Sequence, residues 1–135
     1  MDSATTALTN AGADMNQVEF IIVDTDTVWI RDYGPRFISE DGHRAIVDHT
    51  YNRPRPNDNN IPGHVANMLD IDLYGMSIET AGGNYMTDGL GNSAATELTL
   101  EENPQLTQED IDSIMLHWYG VENYWIIDDP LDDYI

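Results

Sequence analysis

The sequence predicts an α/β fold built from about two strand–turn–strand–helix–strand units. Three observations carry that expectation. Asp-Gly turn signals stand at positions 41 and 88, a spacing of 47, each between segments of strand length. Each is followed by a helical stretch and then a further strand, and a repeat of this length points to a propeller or array whose units cannot bury their faces singly. The chain has 135 residues, 41% of them hydrophobic, which is about one domain with enough apolar material for a core.

The elements follow in order. Residues 1–17 are small and polar and read as a tail or the end of a preceding helix. Val18 to Val23 reads as a short buried strand bounded by acidic residues. Trp29 to Ile38 reads as a strand, turned by Glu40-Asp41-Gly42 into a return strand from Arg44 to His49. Asn52 to Pro62 holds Pro54, Pro56 and Pro62 among Asn and Asp residues and reads as a stiffened loop. Val65 to Leu69 suggests a short helix and Gly75 to Thr80 a strand. The order then recurs. Tyr85-Met86-Thr87 leads into Asp88-Gly89, and Ser93 to Thr99 returns. Thr107 with Asp110 resembles a capping box, opening a helix to Tyr119 with Ile111, Ile114, Met115 and Trp118 on one face and Gly120 as its stop. Tyr124 to Ile127 closes the second unit as a strand.

Charge excludes several functions. There are 25 acidic residues against 5 cations, a net charge of −20 and a pI near 4.1. The cations are Arg31, Arg36, Arg44, Arg53 and Arg55; lysine and cysteine are absent. Nucleic-acid binding needs a basic patch and is set aside. No disulfide, cysteine zinc site, iron–sulfur cluster or thiol nucleophile can come from this chain. No apolar run is long enough for a membrane span, and Met-Asp-Ser-Ala does not begin a signal peptide. A surface this acidic, without lysine, repels itself in dilute buffer and suits a salt-rich, halophilic setting.

Four segments are candidates for chemistry. Asp24-Thr25-Asp26-Thr27-Val28 after an apolar run resembles the phosphotransferase loop of haloacid-dehalogenase-like phosphatases, with Asp24 as nucleophile, Asp26 as acid and a magnesium ion. That chemistry also requires a lysine on the phosphoryl group, so it is not the leading reading. In Trp29-Ile30-Arg31-Asp32-Tyr33-Gly34-Pro35, a carboxylate accepts two N–H bonds from a guanidinium and an indole face adds cation–π attraction; a local Arg31–Asp32 pair is the alternative. Tyr51-Asn52-Arg53-Pro54-Arg55-Pro56-Asn57-Asp58 carries two guanidinium forks suited to carboxylates, either a ligand's or those of nearby aspartates. Ala81-Gly82-Gly83-Asn84-Tyr85 lets backbone approach a ligand or another strand closely.

Taken together, W-x-R-D-Y-G-P, Y-N-R-P-R-P-N-D and G-G-N-Y-M-T-D-G, in this order, resemble the agmatine deiminase and bacterial peptidylarginine deiminase family over about residues 18–135. The closest likeness is to the bacterial peptidylarginine branch. The resemblance implies part of the five-bladed α/β propeller (pentein fold) of guanidino-group-modifying enzymes, with about two ββαβ modules at 18–80 and 81–135. It implies that Asp32 binds the substrate guanidinium with Trp29 packed against it. Arg53 and Arg55 would read a substrate carboxylate, and Asn84, Gly82 and Gly83 would shape the pocket wall. No metal or cofactor is implied.

In that family an Asn-His-x-Asp stretch follows a segment like Asp133-Tyr134-Ile135, and the nucleophilic cysteine lies further on. The chain is therefore expected to be a fragment of a hydrolase that converts arginine or peptidylarginine to citrulline and ammonia, inactive alone. His43, His49, His64 and His117 match no catalytic motif and read as surface or packing residues. Agmatine deiminase, giving N-carbamoylputrescine for putrescine biosynthesis, is the alternative enzyme; a catalytically inactive arginine-binding module is the alternative of another class. Expected partners are an arginine-containing peptide or agmatine, and the rest of the propeller or a second copy, with neither nucleic acid nor membrane. Localisation is cytoplasmic by default, with secretion open if a signal lies upstream.

The acidic surface generates the first prediction. Circular dichroism should show unfolding in dilute buffer and recovery in salt on the order of 1 M; equal stability in both would reject the halophilic expectation.

Overall fold

The computed structural model describes residues 2–129; the segment 133–135, which anchors part of the family comparison, lies outside them. Two three-stranded sheets of the same topology make up the fold. In the first, β1 (Arg36–Glu40) pairs antiparallel with β2 (His43–Tyr51), and β2 pairs parallel with β3 (Asp72–Thr80). In the second, β4 (Met86–Thr87) pairs antiparallel with β5 (Asn92–Thr96), and β5 pairs parallel with β6 (Asn123–Ile127). Parallel pairing needs a crossover, and helices supply it both times. The repeated strand–turn–strand–helix–strand order is thus present in the backbone.

The N-terminal residues form a helix, α1 (Asp2–Asn10), then a short 3-10 turn at Met15–Gln17 that Asp14 caps from its side chain. Val18 to Val23 is not a strand. It pairs with no strand among the described residues, and Ile22 is 72% exposed. An apolar run becomes a strand only where a neighbour accepts its backbone bonds, and neither sheet offers one here. The strand expected from Trp29 is also corrected. A single helical turn, α2 (Ile30–Tyr33), comes first and closes where Gly34 N–H donates to the Ile30 carbonyl at 2.8 Å. β1 starts only after Pro35.

The first Asp-Gly signal gives the tight hairpin it promised. Asp41 and Gly42 both have positive φ, at 49° and 81°, and Glu40 pairs with His43 directly across them. β2 then runs through the middle of its sheet, burying Ala45, Ile46 and Val47 in succession as a strand covered on both faces does. The second Asp-Gly signal gives a wider loop. Asp88 accepts hydrogen bonds from Leu90 N (2.8 Å), Asn92 N (3.1 Å) and Asn92 Nδ2 (2.7 Å), so its side chain replaces a tight turn. Those bonds, led by the one from the Asn92 side chain, hold the Asp88 carboxyl below the usual range.

The proline-rich stretch is not a simple loop. It folds into α3 (Pro56–Asn59) and α4 (Ile61–Leu69), each with proline in the first turn, where its missing N–H costs nothing. The return strand expected to Thr99 stops at Thr96, and α5 (Leu98–Glu102) follows. α6 (Gln108–Tyr119) has the capping box, and Gly120 ends it at φ 63°. Among the described residues no helix is long and apolar enough to cross a membrane.

α6 packs against the sheet of the first unit as well as its own. Val47, Met76 and Ile78 from β2 and β3 meet Ile111 and Met115 of α6, with Val121 beside them. One buried asparagine ties the units further, and a second braces the glycine turn within its own unit. Asn103 accepts from Glu79 N at 2.9 Å and donates to the carbonyls of Glu79 and Thr99 at 2.8 Å, pairing with β3 as a strand would. Asn84 accepts from Thr96 N at 2.9 Å and donates to Thr99 Oγ1 at 3.3 Å.

Because Ile111 is fully buried between the two units, Ile111→Ala should cost about 2–5 kcal/mol in urea unfolding. Leu116→Ala, on the exposed face of the same helix, should change stability by less than about 0.5 kcal/mol.

Candidate functional site

The α2 turn is held from four sides. The Tyr33 hydroxyl donates to the Thr27 carbonyl at 2.7 Å, and the Asp32 N–H donates to the Trp29 carbonyl at 2.9 Å. His49 Nε2 lies 3.1 Å from the Asp32 carbonyl. From the second unit, Gly82 and Gly83 lie directly against the turn. A Cβ on Gly82 would stand 1.9 Å from the Arg31 carbonyl oxygen, and one on Gly83 would stand 2.6 Å from Asp32 Oδ1. Only glycine fits at Gly82, because the obstacle is backbone. Gly83 N–H donates to Asp32 Oδ1 at 2.9 Å. Asp32 is thereby aimed by its own turn and by the glycine pair, and its Oδ2 has no protein partner among the described residues. Beside it, Trp29 leaves 58% of its surface in solvent.

The arginines are placed differently. Arg31 does not pair with Asp32; its guanidinium donates to the Tyr85 carbonyl at 2.9 Å. Arg53 donates to the Asn52 carbonyl at 2.9 Å and lies 3.8 Å from Glu102 Oε1, while Asn52 also donates to that oxygen. Burial pushes the Glu102 carboxyl up, and the Asn52 bond and Arg53 charge oppose that shift. Arg55 donates to the Tyr51 hydroxyl at 3.0 Å. Tyr51 in turn meets Tyr33 edge-on at 5.6 Å, so Arg55 communicates with α2 through two packed rings.

Sequence reasoning missed the residue that joins these parts. Asp58, 0% exposed, accepts from Asp26 N (2.7 Å), Thr27 N (3.1 Å) and Thr27 Oγ1 (2.7 Å). Asp26 answers by accepting from Asn57 N and Asn57 Nδ2, both at 2.9 Å. Asp26 therefore works as a cap on α3, at odds with a role as a phosphatase acid. The available signal was a lone aspartate closing the Arg-Pro-Arg-Pro-Asn-Asp stretch. Asn84 turns its side chain inward, with both polar ends engaged as described, and supports the glycine turn from beneath.

An open groove of about 1150 Å³ is lined by Arg31, Arg36, Gly82, Tyr85, Trp118 and Tyr119 among others. It reaches α2 through Ile30, Arg31 and Gly34; Trp29, Asp32, Arg53 and Arg55 are not in its lining. Among the described residues no three His, Cys, Asp or Glu side chains cluster as metal ligands would.

Comparison with known proteins places these motifs in context. The sequence model of the family described as "Porphyromonas-type peptidyl-arginine deiminase" matches residues 1–134. Two similar proteins carry the name "putative agmatine deiminase". One, from Mycoplasma mycoides, is 32% identical over 78% of this chain and 33% of its own length. The other, a solved structure, has TM-score 0.81 at 26% identity, covering 98% of this chain and 40% of that one. The agmatine deiminase of Enterococcus faecalis, also solved, has TM-score 0.74 at 26% identity over 82% of this chain and 34% of that one. The chain spans about a third of the length of the curated relatives it matches.

His49, beneath Asp32, is buried, and desolvation, with the Arg36 charge adding to it, lowers its pKa to about 3. The unfolded chain therefore takes up the proton first. The stability from neutral His49 is present above pH 6.5 and is lost as pH falls from there toward 3. Between pH 7 and pH 5 the protein should lose about 2 kcal/mol more in urea unfolding than His49→Gln does. The comparison also removes the opposing contribution of Asp48, whose carboxyl burial pushes up.

Proposed function

The chain belongs to the Porphyromonas-type peptidyl-arginine deiminase family, and from that premise we propose that it supplies the guanidinium-recognition surface of a hydrolase converting arginine or peptidylarginine to citrulline and ammonia. The observation that carries this is the half-engaged Asp32 carboxylate, fixed at Oδ1 by Gly83 N–H on a turn that also presents an exposed Trp29. On this reading Asp32 accepts N–H bonds from the substrate guanidinium, and the indole of Trp29 covers its face or its aliphatic stem. Arg53 and Arg55 receive a carboxylate at the other end of the ligand.

Hydrolysis of a guanidinium through a covalent amidine takes a thiolate to attack the central carbon and an acid to protonate the departing ammonia. The chain holds no cysteine. His49 is neutral and occupied beneath Asp32, so the proposal assigns both groups to residues outside 1–135. The two sheets, with edge strands unpaired, are read as adjacent blades of a five-bladed propeller. Gly82 and Gly83 are assigned the wall against Asp32, with Asn84 bracing it.

A second reading has its own support. Glu102 lies close to Arg53, weakening its pull on a ligand carboxylate, and the matched relatives are named for agmatine, which has none. An agmatine deiminase acting toward N-carbamoylputrescine fits those facts. An inactive arginine-binding module would share the recognition surface with either enzyme.

Calorimetric titration with L-arginine, agmatine and a peptide ending in arginine discriminates these readings. Asp32→Asn should weaken all three by at least roughly tenfold. Arg53→Ala and Arg55→Ala should weaken arginine and the peptide while leaving agmatine unchanged; equal affinities, indifferent to both arginines, would favour agmatine. Binding without ammonia release is expected of this chain alone, and release would overturn the assignment of the thiolate elsewhere.

A further inference from the structure

The two ends of the proposed site belong to different stretches of chain, and beside the Tyr33–Tyr51 ring contact a buried carboxylate joins them. Thr27 stands two residues before Trp29, and its carbonyl receives the Tyr33 hydroxyl. Arg55 is the residue from which α3 starts, and Asp58 belongs to that helix. Both Asp58 oxygens are used: Oδ1 takes the amides of Asp26 and Thr27, and Oδ2 takes the Thr27 hydroxyl. Asp26 returns the grip on Asn57 through two bonds of 2.9 Å. Two carboxylates thus hold each other's backbones reciprocally, with five hydrogen bonds between residues 26–27 and 57–58.

A fully buried carboxylate carries a large desolvation cost, and joining a loop to a helix does not require one. What three convergent bonds add is a fixed separation. We infer that the Asp26–Asp58 clamp sets the distance between the Trp29–Asp32 turn and the Arg53/Arg55 loop, making Asp58 a positioning residue that determines preference for ligands with both a guanidinium and a carboxylate. The inference rests on the reading of Asp32 and the arginine pair given above. A ligand that touches both ends is sensitive to their spacing, because misplacement by about 1 Å costs up to roughly 100-fold. A ligand held only at Asp32 tolerates the same shift.

The test is the ratio of agmatine to arginine dissociation constants, measured by calorimetry on the full chain and its variants at matched circular dichroism. Asp58→Ala should lower that ratio by roughly tenfold through weaker arginine binding, with agmatine affinity held within about twofold. Asp58→Asn keeps an oxygen for the two amides and should recover most of the preference. Thr27→Val removes only the Oδ2 bond and should shift the ratio in the same direction by less, serving as the test if Asp58→Ala does not fold. Parallel weakening of both ligands, or an unchanged ratio, would overturn the inference while leaving Asp32 recognition intact. A parent chain with no arginine preference, or with binding indifferent to Asp32→Asn, would overturn the reading of the site and the inference with it.

Discussion

Everything near the candidate site depends on the seat of Gly82 against the backbone of Arg31. No side chain fits there, since a Cβ would lie 1.9 Å from the carbonyl oxygen. That contact brings the second unit against the first, delivers Gly83 N–H to Asp32, and places the Tyr85 carbonyl where Arg31 can reach it. Asn103 works on the same junction by binding β3, while Asn84 ties the glycine turn to β5 within the second unit. A change that lifts the glycine turn would release the Asp32 carboxylate, Arg31 and the sheet contact together, so stability and the geometry around Asp32 are tied to one contact.

The strongly acidic composition takes on a different meaning once the arginines are located. They do not form a free positive patch. Arg36 lies 4.6 Å from the ring centre of Tyr85, while Arg44 over Phe37 and Arg55 over Tyr51 each stand at 5.9 Å. Arg31 is spent on a carbonyl and Arg53 has Glu102 close by. Planar guanidinium stacks on aromatic faces and forks onto carbonyls, which an ammonium does less well. In a chain with no lysine, the cations are positioned parts of the architecture.

Much of the architecture was legible because it rests on local rules. The Asp41-Gly42 turn, the Thr107–Asp110 box and the Gly120 stop need only neighbouring residues, and each stands where its chemistry indicates. The failures are places where a distant partner decides. Val18 to Val23 has strand composition but no strand to pair with. Asp88-Gly89 became a broader loop because the Asp88 side chain captured the backbone around Asn92. The proline stretch read as loop, yet Pro56 and Pro62 start helices. Within the site, the W-x-R-D and Gly-Gly motifs announced themselves by residue type and do meet in space. Asp58 and Asn103 did not, because each satisfies backbone groups far along the chain, and such pairing leaves no periodic trace in sequence.

The shared strand topology also has a kinetic consequence. Each hairpin closes over a few residues, so β1–β2 and β4–β5 form from local contacts. The parallel partners do not: Ala45 meets Asp72, and Asn92 meets Asn123, each across a full helical crossover. Non-local pairings of this kind must offset loop-closure entropy before they contribute, and they slow folding. During that interval β2 and β5 each lack one neighbour, with the apolar run from Ala45 to Val47 uncovered. Such an edge invites pairing with another chain, and a dense negative charge is one of the few deterrents that acts before any tertiary contact exists.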